Sequence, residues 1–138
     1  DGDGDGDAKL EQKDLVEALG GLGSEVEPRM LAFQLRIARA PEQVVRYCRW
    51  GGEDAVLWTS DSHLPSSIPN CPSCGAERKF EFQVCPQLIL HLDCDASDPD
   101  ALNFATIAVF TCTNACNTTP HPPLGAYREE FAWVQPDE

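Results

Sequence analysis

The chain has 138 residues and a mass of 15.1 kDa, which is room for about one domain. Its 10 Lys and Arg stand against 23 Asp and Glu, a formal net charge of −13. That balance excludes a nucleic-acid binder working by phosphate neutralisation, makes direct DNA binding unexpected, and argues against docking on anionic lipid.

Residues 1–7 read DGDGDGD, with Asp1, Asp3, Asp5 and Asp7 separated by glycine. Such a tract has nothing to bury and is expected to be an extended acidic leader. Asp1, Asp3, Asp5 and Gly6 fit the start of a calcium loop, but the twelfth position needs a bidentate Glu and holds Gln12. Leu10, Leu15, Val16 and Leu19 predict a short helix within residues 9–19, ended by Gly20, Gly21 and Gly23. The leader is assigned to 1–25 and the folded domain to 26–138. The opening residues lack the basic start and apolar stretch of a secretory signal. A reducing, cytoplasmic setting is therefore expected, with shuttling to the nucleus.

Glu27–Pro28 opens a second helix, and Met30, Leu31, Phe33, Leu35, Ile37 and Ala38 give it a wide apolar stripe. Ala40–Pro41 ends it and begins a further predicted helix through Val44, Val45 and Tyr47, stopped by Gly51–Gly52. Strands are predicted over 55–60, 77–84, 103–112 and 126–135, with 87–92 a strand or a short helix. In 77–84, Phe80, Phe82 and Val84 are placed on one face and Lys79, Glu81 and Gln83 on the other. Residues 93–100 read as an acidic turn and 117–125 as a proline-rich loop. The expected fold is α+β, with N-terminal helices packed on an antiparallel sheet.

Residues 29–49 hold Arg29, Arg36, Arg39, Arg46 and Arg49 against Glu42 alone. Pairing with Glu77, Glu81, Glu129 or Glu130 of the sheet is the simpler expectation; a basic groove for peptide or RNA is the alternative.

Seven cysteines are many for this length. Cys71 and Cys74 form one close pair, and Cys112 and Cys116 form another. Each spacing lets a tight turn aim two sulfurs at one point, and Gly75 suits the sharp backbone of such a knuckle. Four thiolates make a closed tetrahedral shell for one structural Zn²⁺, which would staple the fold and leave no position for a catalytic water. Disulfides and unligated thiols are the competing readings; the odd count and the expected reducing setting disfavour the first. A second site at His91 and Cys94, with Cys85 near, lacks a fourth partner. Cys48 and Cys85 therefore read as core thiols. No nucleophile elbow, phosphate-binding glycine loop or metalloprotease helix is present, so an enzyme is not expected.

Four segments carry a family resemblance: FQLRIARAPEQVVRYCRWGG (33–52), IPNCPSCGAERKFEFQVCPQLI (68–89), TIAVFTCTNAC (106–116) and EEFAWVQ (129–135). Together they resemble the C-terminal domain of programmed cell death protein 2 and its ribosome-biogenesis homologues. The resemblance implies a non-enzymatic chaperone dedicated to one basic protein of the small ribosomal subunit. The family's name implies the alternative of a protein–protein adaptor in transcription or apoptosis. The matching family cysteines are Cys71, Cys74, Cys112 and Cys116. Cys85 departs from the family, which often has an aliphatic residue or methionine there. Family members carry a larger N-terminal region, so the chain is expected to be one piece of a longer protein, acting as a monomer. Acidic surface at Asp93, Asp95, Asp98 and Asp100, with the aromatic rings of Trp50 and Trp133, is the expected contact for a basic partner.

Overall fold

A computed structural model describes residues 27–52, 54–95, 97–116 and 127–137. The predicted helix within 9–19, and the loop predicted for 117–125, lie outside them. In chain order the elements are α1 (Pro28–Ile37), β1 (Val45–Tyr47), β2 (Arg78–Val84), α2 (Gln87–His91), β3 (Thr106–Cys112) and β4 (Phe131–Gln135). The strands form one antiparallel sheet in the order β1-β2-β3-β4. No described helix is long and apolar enough to cross a membrane.

β3 is the centre of the sheet and alternates strictly. Thr106, Ala108, Phe110 and Cys112 are buried, while the residues between them are half-buried. The buried face collects Ala55, Phe80, Ala108 and Phe110, with Trp58, Ile68, Phe131 and Trp133 packed around them. Phe80 meets Phe110 edge-on at 6.0 Å, and Phe131 extends the cluster at 6.1 Å from Phe110.

A bulge corrects the predicted faces of β2. Phe80 pairs with Phe110, but Phe82 pairs with Val109, so Glu81 is the extra residue. One inserted residue inverts the alternation beyond it. Phe82 and Val84 therefore pass to the outer face, and Gln83, expected on the polar face, is fully buried beside Ala108. The bulged segment also accepts the next layer: Glu81 and Phe80 carbonyls take the N–H groups of Cys48 and Trp50.

Two helical expectations change. One N-terminal helix is present among the described residues, and residues 41–50 do not form a second. Val45, Arg46 and Tyr47 pair with Val84, Gln83 and Phe82 instead. The β-branched and aromatic side chains favour a pleated surface, and Arg46 turns inward to the Ala55 carbonyl and to Gln83 Oε1 at 3.1 Å. α1 is tied to the segment that covers the sheet: Arg29 pairs with Asp61, and Glu27 Oε1 accepts the Asp61 N–H at 3.1 Å.

That covering segment is where 55–60 was expected to be a strand, and it joins no ladder. Its peptide groups bind side-chain amides instead. Gln83 accepts the Leu57 N–H at 2.9 Å and donates to the Leu57 carbonyl at 3.0 Å. Gln135 accepts from Thr59 N–H at 3.1 Å and donates to the carbonyls of Ser60 and Ser62 at 3.2 and 2.8 Å. Two buried glutamines thus stand in for a neighbouring strand. Residues 87–91 take the short-helix alternative, entered through Pro86.

Candidate metal centre

The two cysteine pairs sit at one end of the β2–β3 ladder. The first lies in the turn leading into β2. Its backbone closes on itself through Gly75 N–H to the Cys71 carbonyl and Cys71 N–H to the Ala76 carbonyl, both 2.8 Å. Gly75 has φ 75°, a left-handed conformation that glycine adopts without strain. The second pair begins at the last residue of β3, Cys112, and turns through Ala115 at φ 44°. Arg78, the first residue of β2, pairs with Cys112, so the ladder brings the two knuckles together. Beyond it, the Glu77 carbonyl accepts both the N–H and the hydroxyl of Thr113, at 3.0 and 2.8 Å.

All four sulfurs lie within 4.8 Å of one another. Cys71 to Cys116 and Cys74 to Cys112 are each 3.5 Å, and Cys112 to Cys116 is 3.8 Å. A tetrahedral ion with Zn–S bonds of about 2.3 Å separates its sulfurs by about 3.8 Å. The observed spacing matches that shell and exceeds the roughly 2.05 Å of a disulfide. All seven cysteines are free thiols. The cluster therefore fits a structural metal, and it is the one group of metal-competent side chains found among the described residues. Cys85 is buried and Cys94 exposed, and they do not join His91 in a second site.

Local donors distribute the charge of the sulfurs. The N–H groups of Cys74 and then Ser73 pull the Cys71 thiol down to about 6. The Cys116 N–H lowers Cys112 in the same way. Cys116 is pushed up to about 12 by burial and by the sulfurs around it, against the opposing charge of Arg128. A bound cation removes that conflict by replacing protons.

Several supporting residues carry no signal in the cysteine spacing. Arg128 donates to Cys116 Sγ at 3.0 Å, and Asn114 approaches Cys74 Sγ at 3.9 Å. The nearly buried Arg78 side chain donates to Glu130 Oε2 at 3.0 Å, while Glu130 Oε1 accepts the Cys112 N–H at 3.2 Å. These contacts cross strands, so only the folded ladder makes them visible.

The other expected contact residues are not part of the cysteine cluster. Asp93, Asp95, Asp98 and Asp100 are all exposed. Asp95 accepts the hydroxyl and N–H of Ser97, which hold its carboxyl below the usual range. Asp98 accepts the Asp100 N–H at 2.9 Å. Trp50 is half-buried, with its indole N–H on Thr111 Oγ1 at 3.1 Å and the Arg49 guanidinium 4.1 Å above its ring. Trp133 packs against the core cluster and donates to the His63 carbonyl at 2.8 Å.

Comparison with known proteins gives a consistent answer. The family described as "Programmed cell death protein 2, C-terminal putative domain" matches residues 28–136. The Mus musculus protein named Programmed cell death protein 2 is 42% identical over 106 residues, covering 75% of this chain and 28% of the relative. Programmed cell death protein 2-like of Mus musculus is 35% identical over 136 residues, covering 99% of this chain and 34% of the relative. A Schizosaccharomyces pombe protein named Probable 20S rRNA accumulation protein 4 is 31% identical over 122 residues, covering 80% of this chain and 28% of the relative. The chain thus spans about a third or less of the length of these relatives. No solved structure matches.

Proposed function

The chain belongs to the programmed cell death protein 2 family, and from that premise we propose that it is a non-enzymatic binding domain acting in ribosome biogenesis. Its partner in this reading is a basic protein of the small ribosomal subunit, which the full-length protein chaperones. The observation that carries the reading is the 31% identity to a relative named for 20S rRNA accumulation. The charge of −13 supports it, because an acidic surface attracts a basic protein and discourages its premature contact with RNA. The exposed aspartates at 93–100 are the first contact surface to test, with Trp50 and Trp133 as the aromatic candidates. The four-cysteine centre holds one Zn²⁺ in this reading, through Cys71, Cys74, Cys112 and Cys116. A closed thiolate shell supplies rigidity and activates no water. The domain acts as a monomer in the cytoplasm and shuttles to the nucleus.

A pulldown with the full chain at low and moderate salt tests the reading. The expected result is enrichment of one small-subunit ribosomal protein, weakened as salt screens the attraction. Enrichment of nuclear transcription regulators in its place would establish the adaptor role that the family's name suggests.

A further inference from the structure

Arginine is distributed unevenly between paired and unpaired sites. Arg29 pairs with Asp61, Arg49 with Glu81 and Arg78 with Glu130. Arg36 and Arg39 make no ion pair and no side-chain hydrogen bond among the described residues. In a chain with more than twice as many acidic as basic side chains, a carboxylate for each would be easy to supply. Instead both arginines line a cleft of about 340 Å³ between the end of α1 and strand β1. Arg46 lines it as well, and its guanidinium bonds only neutral oxygens, those of Ala55 and Gln83. Ile37, Ala40, Gln43, Tyr47, Cys48 and Cys85 complete the wall.

Three guanidinium charges around one cleft repel each other, and no described carboxylate lines it. A single carboxylate neutralises one arginine, whereas a phosphoryl group brings nearly two negative charges and three acceptor oxygens that match planar guanidinium forks. We propose that this cleft binds the phosphate of a phosphorylated serine or threonine in a partner peptide. The net charge of −13 selects the peptide over RNA: a polyanion carries many phosphates against a repelling surface, while one phosphoryl group meets only the local arginines. The proposal is independent of the ribosomal reading, because it concerns a basic cleft and an acidic ligand.

Backbone-amide NMR of the metal-loaded full chain tests it, with a phosphoserine peptide, its unphosphorylated twin, inorganic phosphate and a short single-stranded RNA as probes. The phosphopeptide is expected to shift the amides of Gln43, Tyr47 and Cys48, and the unphosphorylated twin to leave them in place. Arg36→Gln and Arg39→Gln each remove charge-assisted hydrogen bonds and are expected to weaken binding by about tenfold or more. Both residues are exposed, so the variants keep the fold. Arg49→Gln, outside the cleft wall, is expected to leave the affinity unchanged. Absence of shifts with the phosphopeptide, or shifts insensitive to Arg36→Gln and Arg39→Gln, would overturn the proposal. Inorganic phosphate binding as tightly as the phosphopeptide would overturn the peptide assignment, and tighter binding of the RNA would reverse the choice of ligand.

Discussion

Each knuckle has one left-handed residue, Gly75 just after its cysteine pair and Ala115 between the cysteines of the other, and only the first is glycine. An L-residue there places Cβ against the neighbouring carbonyl, at about 1 kcal/mol. Ala115→Gly is therefore expected to stabilise the metal-bound domain by up to about 1 kcal/mol, less the entropy glycine loses on folding. Gly75→Ala should destabilise it by about the same amount, because the space around Gly75 is open and backbone strain is the whole penalty. Denaturant titration of both variants at saturating metal measures the pair. The cysteine cluster was legible because each knuckle is a local pattern of close cysteines. Arg128 and Glu130 were not legible, since nothing at positions 128 and 130 marks a side chain that reaches a sulfur or a knuckle N–H across the sheet.

Strands β3 and β4 were legible in type and less so in length. The run 103–112 shortens to Thr106–Cys112, and 126–135 to Phe131–Gln135. β2 shows why alternation misled: a period-2 reading has no way to register the extra residue Glu81, and every face assignment after it inverts. β1 was hidden for a related reason, because three residues are too few to separate a strand from a helical turn. Gln83 read as solvent-facing and Gln135 carried no mark of burial, yet each is 0% exposed and carries the cover segment. A contrast between two glutamines tests their role. Gln83→Leu strands the Leu57 peptide groups and the Arg46 contact, and should cost about 2–4 kcal/mol by urea denaturation. Gln87 has a buried Oε1 with no partner, so Gln87→Leu should be neutral or stabilising.

For the whole molecule, the α+β class and the cysteine cluster followed from the sequence, while the number of helices did not. Val44, Val45 and Tyr47 fit a helical stripe as well as a strand, and pairing with β2 decided the matter. The metal's contribution is a molecular-scale quantity, since the four cysteines join the segment before β2 to the end of β3. Metal analysis is expected to find one zinc per chain. A strong chelator should abolish the cooperative thermal transition at the metal-bound midpoint, and an unchanged transition in metal-free protein would remove the structural role.

The position of the knuckles at the mouth of the β2–β3 ladder also bears on the path to the native state. Each cysteine pair is local and can engage an ion before any long-range contact forms. Joining the pairs then closes a loop of 37 intervening residues, an entropic penalty that grows only logarithmically with length. Once it is closed, Arg78 and Cys112 stand opposite each other in register, and the remaining pairs of the ladder can form stepwise from that end. A metal bound at the cluster would then act as a nucleation point that sets strand alignment as well as a staple on the finished sheet.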